Sequence, residues 1–307
     1  MEKIPDCAPV IFIIFNRPDV THRVFEAIAK AQPPILFIIS DGARATMPGE
    51  REKVEQARAI VEHIDWPCVV HRRYSQHNLG SKANVASGIS WAFSIVESAI
   101  ILEDDCLPSA VFFQYTTEML ARYRIEKRIF SISGSNFSFL PDSPGHYYSN
   151  YSLMWGWATW RDRWQLYEIA PKDEYWVLMR TFGLRPLNFA YWLKVFSDLR
   201  SGRLVSWDYY WLLTLWRNRA YCCRPTLNLV QNLGFGPSAT HTTNSDSKLA
   251  RLLAVETRES FSKAISTEIA PDTRRDLHDE ANWALVHWKT LLLLYFPWIS
   301  RILNRLR

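Results

Sequence analysis

The chain has 307 residues, 48% hydrophobic and 22% charged, enough to bury a full core and too apolar and aromatic for a disordered segment. Thirty-six Lys and Arg against 31 Asp and Glu leave a formal charge of +5, which lacks the dense basic stripe of a nucleic-acid binder. Five cysteines with no C-x-x-C spacing give neither a disulfide framework nor a zinc site, so a reduced, cytoplasmic setting is the simpler expectation. The start, Met-Glu-Lys-Ile-Pro-Asp, carries no basic region leading into an apolar one, and no transmembrane helix is expected anywhere.

The first 110 residues alternate strand and helix patterns. Val10 to Phe15 is a continuous apolar run closed by Asn16-Arg17-Pro18, as expected of a strand buried on both faces. Asp19 or Thr21 can cap the helix that follows, whose apolar face includes Val24, Phe25 and Ile28. Ile35 to Ile39 makes a second buried strand, stopped by Ser40-Asp41-Gly42. Residues 50–63 read as a charged helix and Pro67 to Arg73 as a third strand. Ser81 can cap a helix with Val85, Ile89, Phe93 and Val96 at helical spacing. Ala99 to Leu102 is a fourth strand that runs straight into Glu103-Asp104-Asp105, and Pro108 opens another helix.

This repetition predicts an α/β fold with a mainly parallel sheet covered on both sides. Such sheets bind ligands at the carboxyl ends of their strands, where Asn16-Arg17, Asp41-Gly42 and the acid triplet all fall. Residues 130–240 are less regular and rich in Trp and Tyr. After about residue 243 the chain turns polar and then helical.

Three successive acids at a strand end are costly to assemble unless something positive binds them. Mg²⁺ and Mn²⁺ take one or two carboxylates plus phosphate oxygens, which suits this arrangement better than a merely solvated acidic turn. No G-x-G-x-x-G, no P-loop and no G-x-S-x-G occurs, which leaves dinucleotide binding, P-loop chemistry and the common hydrolase elbow unsupported. Gly80-Ser81-Lys82 opens a helix and can offer backbone N–H groups and a cation to a diphosphate, although a lysine there is more often just exposed.

Taken in order, these residues carry a resemblance. Asn-Arg-Pro after the first strand, Ser-Asp-Gly after the second, Asn78-Leu79-Gly80 before a helix and Ile101 to Pro108 around the acids resemble the donor half of GT-A glycosyltransferases. More narrowly, the chain resembles the β-1,2-N-acetylglucosaminyltransferase type I group and its bacterial relatives. Ser133 to Asn136, Trp155 to Trp160, Ser206-Trp207-Asp208 and Gly234-Phe235-Gly236 with Thr240-His241 extend the match from about residue 9 to 241. The resemblance implies a GT-A fold, a nucleotide-diphosphosugar donor with UDP favoured, Mn²⁺ or Mg²⁺ on the diphosphate, and inversion at the anomeric carbon.

Residue by residue, the resemblance matches Asp41 to the acid that meets the nucleobase, Asp105 to the acid that touches the metal and Asp208 to the general base. Glu103, Asp104, Asn16, Arg17, Gly42 and Lys82 join the donor site, and His241 approaches the metal or diphosphate. Gly156 and Trp157 line the sugar pocket. Each has a plainer alternative: a late His is often structural, Asp208 can be an ordinary polar residue at a helix start, and closely spaced tryptophans usually pack a core. Where the family can carry two acids after the tryptophan, Asp208 here is followed by Tyr209-Tyr210, so the base rests on Asp208 alone.

The expected organisation is a donor half over residues 1–128, an acceptor and catalytic half over 129–243, and a helical, basic tail over 244–307. From Trp283 to Arg307 the tail carries Lys289, Arg301, Arg305 and Arg307 with no acid. It suits an amphipathic helix on an anionic bilayer, on the inner face of the cytoplasmic membrane where a lipid-linked acceptor would lie, or equally a helix packed on the domain. Two other functions compete with glycosyl transfer to a bacterial surface glycan. A sugar-nucleotide nucleotidyltransferase would want a Gly-rich loop after the first strand, which is missing, and a non-enzymatic membrane-active or sugar-binding protein has no need of the acid triplet.

Overall fold

The computed structural model describes residues 7–137, 143–235, 248–257, 259–282, 284, 286 and 288–295. The strands β1 (Val10–Ile14), β2 (Ile35–Ser40), β3 (Val69–Tyr74) and β4 (Ser98–Glu103) lie side by side in the order β3-β2-β1-β4, all parallel. They alternate in the chain with α1 (Pro18–Ala31), α2 (Glu50–Ile60) and α3 (Ser81–Phe93). All five residues of β1 are buried because successive side chains feed opposite faces. Val10, Phe12 and Ile14 share a core with Val24, Phe25 and Ile28 of α1, while Ile11 and Ile13 pack with Val85 and Ile89 of α3. An uninterrupted apolar run is what a strand covered on both faces requires.

Four further strands widen the sheet: β6 (Ile129–Ser133), β7 (His146–Ser149), β8 (Trp157–Trp160) and β9 (Tyr221–Pro225). Among the described residues the sheet has eight strands, ordered β3-β2-β1-β4-β8-β6-β9-β7, in which β8 and β7 run against the other six. A small antiparallel sheet pairs β5 (Cys106–Pro108), just after the acid triplet, with β10 (Val230–Asn232). The fold is therefore α/β and Rossmann-like, with a mixed but mainly parallel sheet flanked by helices, as the sequence pattern predicts.

Three helix starts differ from expectation. α1 begins at Pro18, whose fixed φ suits the first helical position, and Thr21 instead donates its hydroxyl to the Arg17 carbonyl at 2.8 Å. Ser81 is the first residue of α3 and the cap is Gly80, at φ +78°. Pro108 is held in β5 opposite Val230, which delays α4 (Ala110–Arg122) to Ala110.

The aromatic-rich stretch turns out to be mostly interior. Trp157 of β8, Trp164 of α5 (Arg161–Trp164), Trp207 and Trp211 pack together under α3. A second aromatic core joins Tyr151 and Trp192 to the helices α6 (Glu174–Phe182), α7 (Pro186–Arg200) and α8 (Asp208–Arg217).

After a single 3-10 turn, Lys248–Arg251, the chain returns to the sheet. Residues 263–272 follow the outer edge of β7, exchanging backbone bonds from His146 to Lys263 (2.9 Å), Ile265 to His146 (2.8 Å) and Asp272 to Tyr148 (2.8 Å). Behind them, α9 (Thr273–Asn282) buries four charged side chains, Arg275, Asp276, Asp279 and Glu280. Asp279 forms an ion pair with Arg224 of β9, both wholly buried. Asp276 accepts from the Ser149 hydroxyl at 2.5 Å and Glu280 from the Tyr151 hydroxyl at 2.7 Å. α10 (Trp288–Tyr295) touches α7 through a bond from the Tyr295 hydroxyl to the Ala190 carbonyl at 2.9 Å. No helix among the described residues is long and apolar enough to cross a membrane.

Removing one partner of a buried pair strands the other charge in a low dielectric. Asp279→Ala is therefore expected to lower the unfolding free energy in urea by about 3–5 kcal/mol. Lys127→Ala, which breaks only the exposed pair with Asp162, should cost no more than about 1 kcal/mol in the same measurement.

Candidate functional site

Because β1 and β4 are parallel neighbours, with Ile13 opposite Glu103, the segments that leave their carboxyl ends emerge side by side. Arg17 reaches across from the start of α1 and bridges two acids, donating through Nη1 to Asp105 Oδ2 at 2.9 Å and through Nη2 to Asp104 Oδ1. Asp104 is also the acceptor for the Phe15 backbone N–H at 3.3 Å. Burial works against the charge on Arg17, but Asp104 and Asp105 outweigh it and hold the guanidinium protonated more firmly than usual.

Burial lifts the Glu103 carboxyl well above the usual range, and the charges of Asp105, Asp104 and Asp208 add to that rise while Arg17 opposes it. Asp104 is raised too, first by burial and then by Asp105, against the pull of Arg17. The charges of Asp104, Asp105 and Asp208 and of the Arg17 guanidinium thus act together on Glu103.

The small sheet of β5 and β10 closes the cluster from one side. The Leu233 N–H donates to the Asp105 carbonyl at 2.7 Å and the Gly234 N–H to Asn232 Oδ1 at 2.7 Å. A Cβ on Gly234 would lie 2.0 Å from Asp105 Oδ2 and 3.0 Å from Arg17 Nη1, so only glycine fits against this ion pair. Next to it, Phe235 meets Trp155 edge-on at 5.7 Å, and Phe137 meets the same ring at 4.7 Å.

Asp208 is the first residue of α8, where the aligned peptide dipoles favour a carboxylate. Its Oδ1 accepts from the Tyr209 N–H at 2.9 Å and from the Ser206 hydroxyl. Two residues on, the Tyr210 ring lies 4.7 Å below the ammonium of Lys82, which links the first turn of α3 to α8.

At the end of β2, Asp41 is buried and both its oxygens are engaged. Oδ1 accepts from the N–H groups of Gly42 (2.9 Å) and Leu79 (2.8 Å), Oδ2 from Gly80 N–H (2.9 Å) and Asn78 Nδ2 (3.1 Å). In this structure Asp41 builds the loop that carries Gly80 and α3. Gly42 lies under that loop, with no room for a Cβ beside the His77 backbone. Asn16 donates to Glu50 Oε1 at 2.8 Å rather than toward the acids. Glu50 is also gripped by Arg44, whose side-chain bonds to it are the main cause of its lowered pKa. Arg44 lies in turn 5.7 Å from the Phe15 ring.

Arg17, Asp104 and Asp105 are therefore in direct contact, with Glu103 beside them and Asp208 near enough for its charge to act on Glu103, whereas Lys82 meets α8 at Tyr210, on another side of that helix from Asp208. Gly156 and Trp157 are not part of this group. Gly156 is packed behind Val230 and Leu102, and Trp157 is 1% exposed, stacked on Trp207 at 5.7 Å. The core takes these two residues, because β8 is a central strand with helices over its face. His241 lies outside the described residues.

Among the described residues, no three His, Cys, Asp or Glu side chains form a group that could hold a metal unaided. Arg17 engages one oxygen each of Asp104 and Asp105, and a hard divalent ion takes in general one or two carboxylates and completes its shell with other oxygens.

The sequence reading misses Gly234 as a site residue, although its Gly-Phe-Gly context marks a turn. It also misses Tyr210, Glu50 and Arg44. A charged residue opening a charged helix gives no signal that it will be buried against a distant asparagine.

No family model and no curated protein matches the chain. Many solved structures overlap part of it, among them the following two. One is the 4-diphosphocytidyl-2C-methyl-D-erythritol synthase of Anaerococcus prevotii DSM 20548, at 8% identity over 52% of this chain and 74% of that one, with a TM-score of 0.32. The other is a UDP-glucose pyrophosphorylase complexed with UDP-glucose, at 10% identity over 52% and 78%, with a TM-score of 0.28. It is the site's own residues, not these overlaps, that bear on its chemistry.

Because a Cβ on Gly234 would meet Asp105 and Arg17, Gly234→Ala should push the Asp105 carboxylate off Arg17 in a crystal structure of the variant. The thermal midpoint should fall by only a few degrees, because the displaced atoms sit at the surface end of the sheet and not in the core.

Proposed function

We propose that the chain is a metal-dependent, inverting glycosyltransferase of the GT-A kind, similar to the β-1,2-N-acetylglucosaminyltransferase type I group. It would move a sugar from a nucleotide-diphosphosugar to a hydroxyl of a bacterial surface glycan or lipid-linked saccharide. The observation that supports this best is the meeting of the Arg17-clamped acid triplet with Asp208 at one mouth, near enough for the charge of Asp208 to act on Glu103. UDP is favoured over other nucleotides by the resemblance.

Asp105 and its neighbours would hold Mn²⁺ or Mg²⁺ together with the diphosphate, and the ion would neutralise charge on the departing group. Arg17 and Lys82 add positive charge on the diphosphate side, and the loop held by Asp41 aims the start of α3 toward it. Asn16, Gly42 and Arg44 shape the floor where the nucleobase would sit. Asp208 takes the proton of the acceptor hydroxyl as its oxygen bonds to the anomeric carbon. The bond from that carbon to the diphosphate oxygen breaks on the opposite face, and the electron pair leaves with the nucleotide. His241 is a further candidate for the metal side.

In this scheme residues 1–128 bind the donor and 129–243 present the acceptor. A lipid-linked acceptor suits a cytoplasmic chain held at the inner membrane face by its basic 244–307 tail.

Calorimetric titration with UDP and GDP, with and without Mn²⁺, is expected to show UDP binding that needs the metal and is lost in Asp105→Ala. Asp208→Asn should bind UDP as the unaltered chain does, yet hydrolyse or transfer a UDP-sugar about 10²–10⁴-fold more slowly. Absence of binding by either nucleotide under every condition overturns the proposal.

A further inference from the structure

One helix of this fold is apolar on both sides. Val177, Leu178 and Phe182 of α6 face the aromatic core with Trp192 and Trp216, as an amphipathic helix should. Its outer side carries Tyr175, Trp176 and Met179, and Leu184 follows just past its end. Trp176 is 71% exposed and Leu184 wholly so. The Tyr175 ring leans on Trp176 at 5.4 Å and on Phe189 of α7 at 5.6 Å, so the rings form one surface instead of isolated side chains. On the far side of α7, α10 adds Leu292 and Tyr295, 40% and 44% exposed. Contiguous exposed apolar surface of this kind marks an interaction site.

The surrounding charge narrows the partner. Residues 171–205 contain six basic residues and three acids, Asp173, Glu174 and Asp198. Each of those acids is paired, Asp173 with Arg217, Glu174 with Arg200, and Asp198 with Lys194 and Arg203, and Arg185 is matched by Glu280 of α9, so that Lys172 and Arg180 make up the local excess of base. From residue 288 to the end the sequence adds Lys289, Arg301, Arg305 and Arg307 with no acid. The excess of base over acid in these two segments, three and four charges, exceeds the +5 of the whole chain, so the remainder is net acidic. Exposed Trp and Tyr beside Leu and Met, in a segment that carries more base than acid, match the headgroup boundary of an anionic bilayer, where amphipathic rings settle and basic side chains gain from surface charge.

We propose that the outer face of α6 and the following turn, Tyr175, Trp176, Met179 and Leu184, dock the protein on an anionic lipid surface alongside α10. The surface goes beyond the basic tail and belongs to the folded body. α6 also packs against α8, whose first residue is Asp208, so docking here sets the distance between that carboxylate and the membrane plane.

The test is flotation of the full chain with equimolar phosphatidylglycerol–phosphatidylcholine vesicles and with phosphatidylcholine alone. The chain is expected to float with the anionic vesicles and not with the neutral ones. Trp176→Ser combined with Leu184→Ser should weaken partitioning at least tenfold, and Leu184→Asp, at a side chain that touches nothing, should weaken it without any effect on folding. Ile125→Ser, equally exposed but on the loop after α4, should float as the unaltered chain does. Vesicle binding that is absent, or undiminished in the double variant, overturns the proposal. So does self-association by light scattering that the double variant abolishes while vesicle binding persists, because the occupant is then a second copy. UDP titration of the same variants is expected to be unchanged, which keeps failure here distinct from failure of the transferase proposal.

Discussion

Carboxylates that follow one another at the end of a buried strand repel, and the fold has to answer that repulsion locally. Arg17 does so by bridging Asp104 and Asp105 from the start of the neighbouring crossover. The bridge depends on β1 and β4 being parallel and adjacent, on Pro18 starting α1 where it does, and on Gly234 leaving space for the two side chains. One guanidinium answers two of these acids directly, and burial together with the neighbouring carboxylates lifts the Glu103 carboxyl well above its usual range. The arrangement of sheet, small sheet and α8 can be understood as the means of keeping these groups together.

The polar groups around this cluster are tied down rather than left loose. Asp41 spends its hydrogen-bonding capacity on the loop before α3, and Glu50 holds Asn16 and Arg44. Such fixed surroundings hold the charged groups at preset positions. The aromatic residues contribute differently. Trp157, Trp164, Trp207 and Trp211 form a rigid block behind Asp208 and fix where α8 begins, which is a positioning role carried out entirely from the interior.

Much of the first half was legible because buried parallel strands have an unmistakable pattern. Val10 to Ile14, Ile35 to Ile39 and Ala99 to Leu102 are continuous apolar runs, and the acids and Asn-Arg-Pro mark where they stop. The strands of the second half are short and share their aromatic character with helices, so periodicity could not separate Trp157–Trp160 from the tryptophans of α8. The same ambiguity hid the fate of Trp157: a ring in Trp-Gly-Trp reads as a sugar platform or as core, and only the place of β8 in the middle of the sheet decides for core. Helix starts were missed where a proline or strand pairing overrode the capping residue. Long-range polar links such as Glu50 to Asn16 leave no local trace, since a charged residue is ordinarily a solvated one.

The strap along β7 has a consequence in time. Among the described residues β7 is the last strand of the sheet in space but not in the chain, and its outer backbone groups are met by residues 263–272, with Asp276 lying 127 positions beyond its partner Ser149. During synthesis at roughly 5–20 residues per second, that edge waits on the order of 6–25 seconds for its cover. An uncovered strand is a template for wrong pairing. The nascent chain therefore passes through a window in which its safety depends on chaperones or on late pairing of β7 with β9, and the sheet becomes self-contained only when α9 arrives.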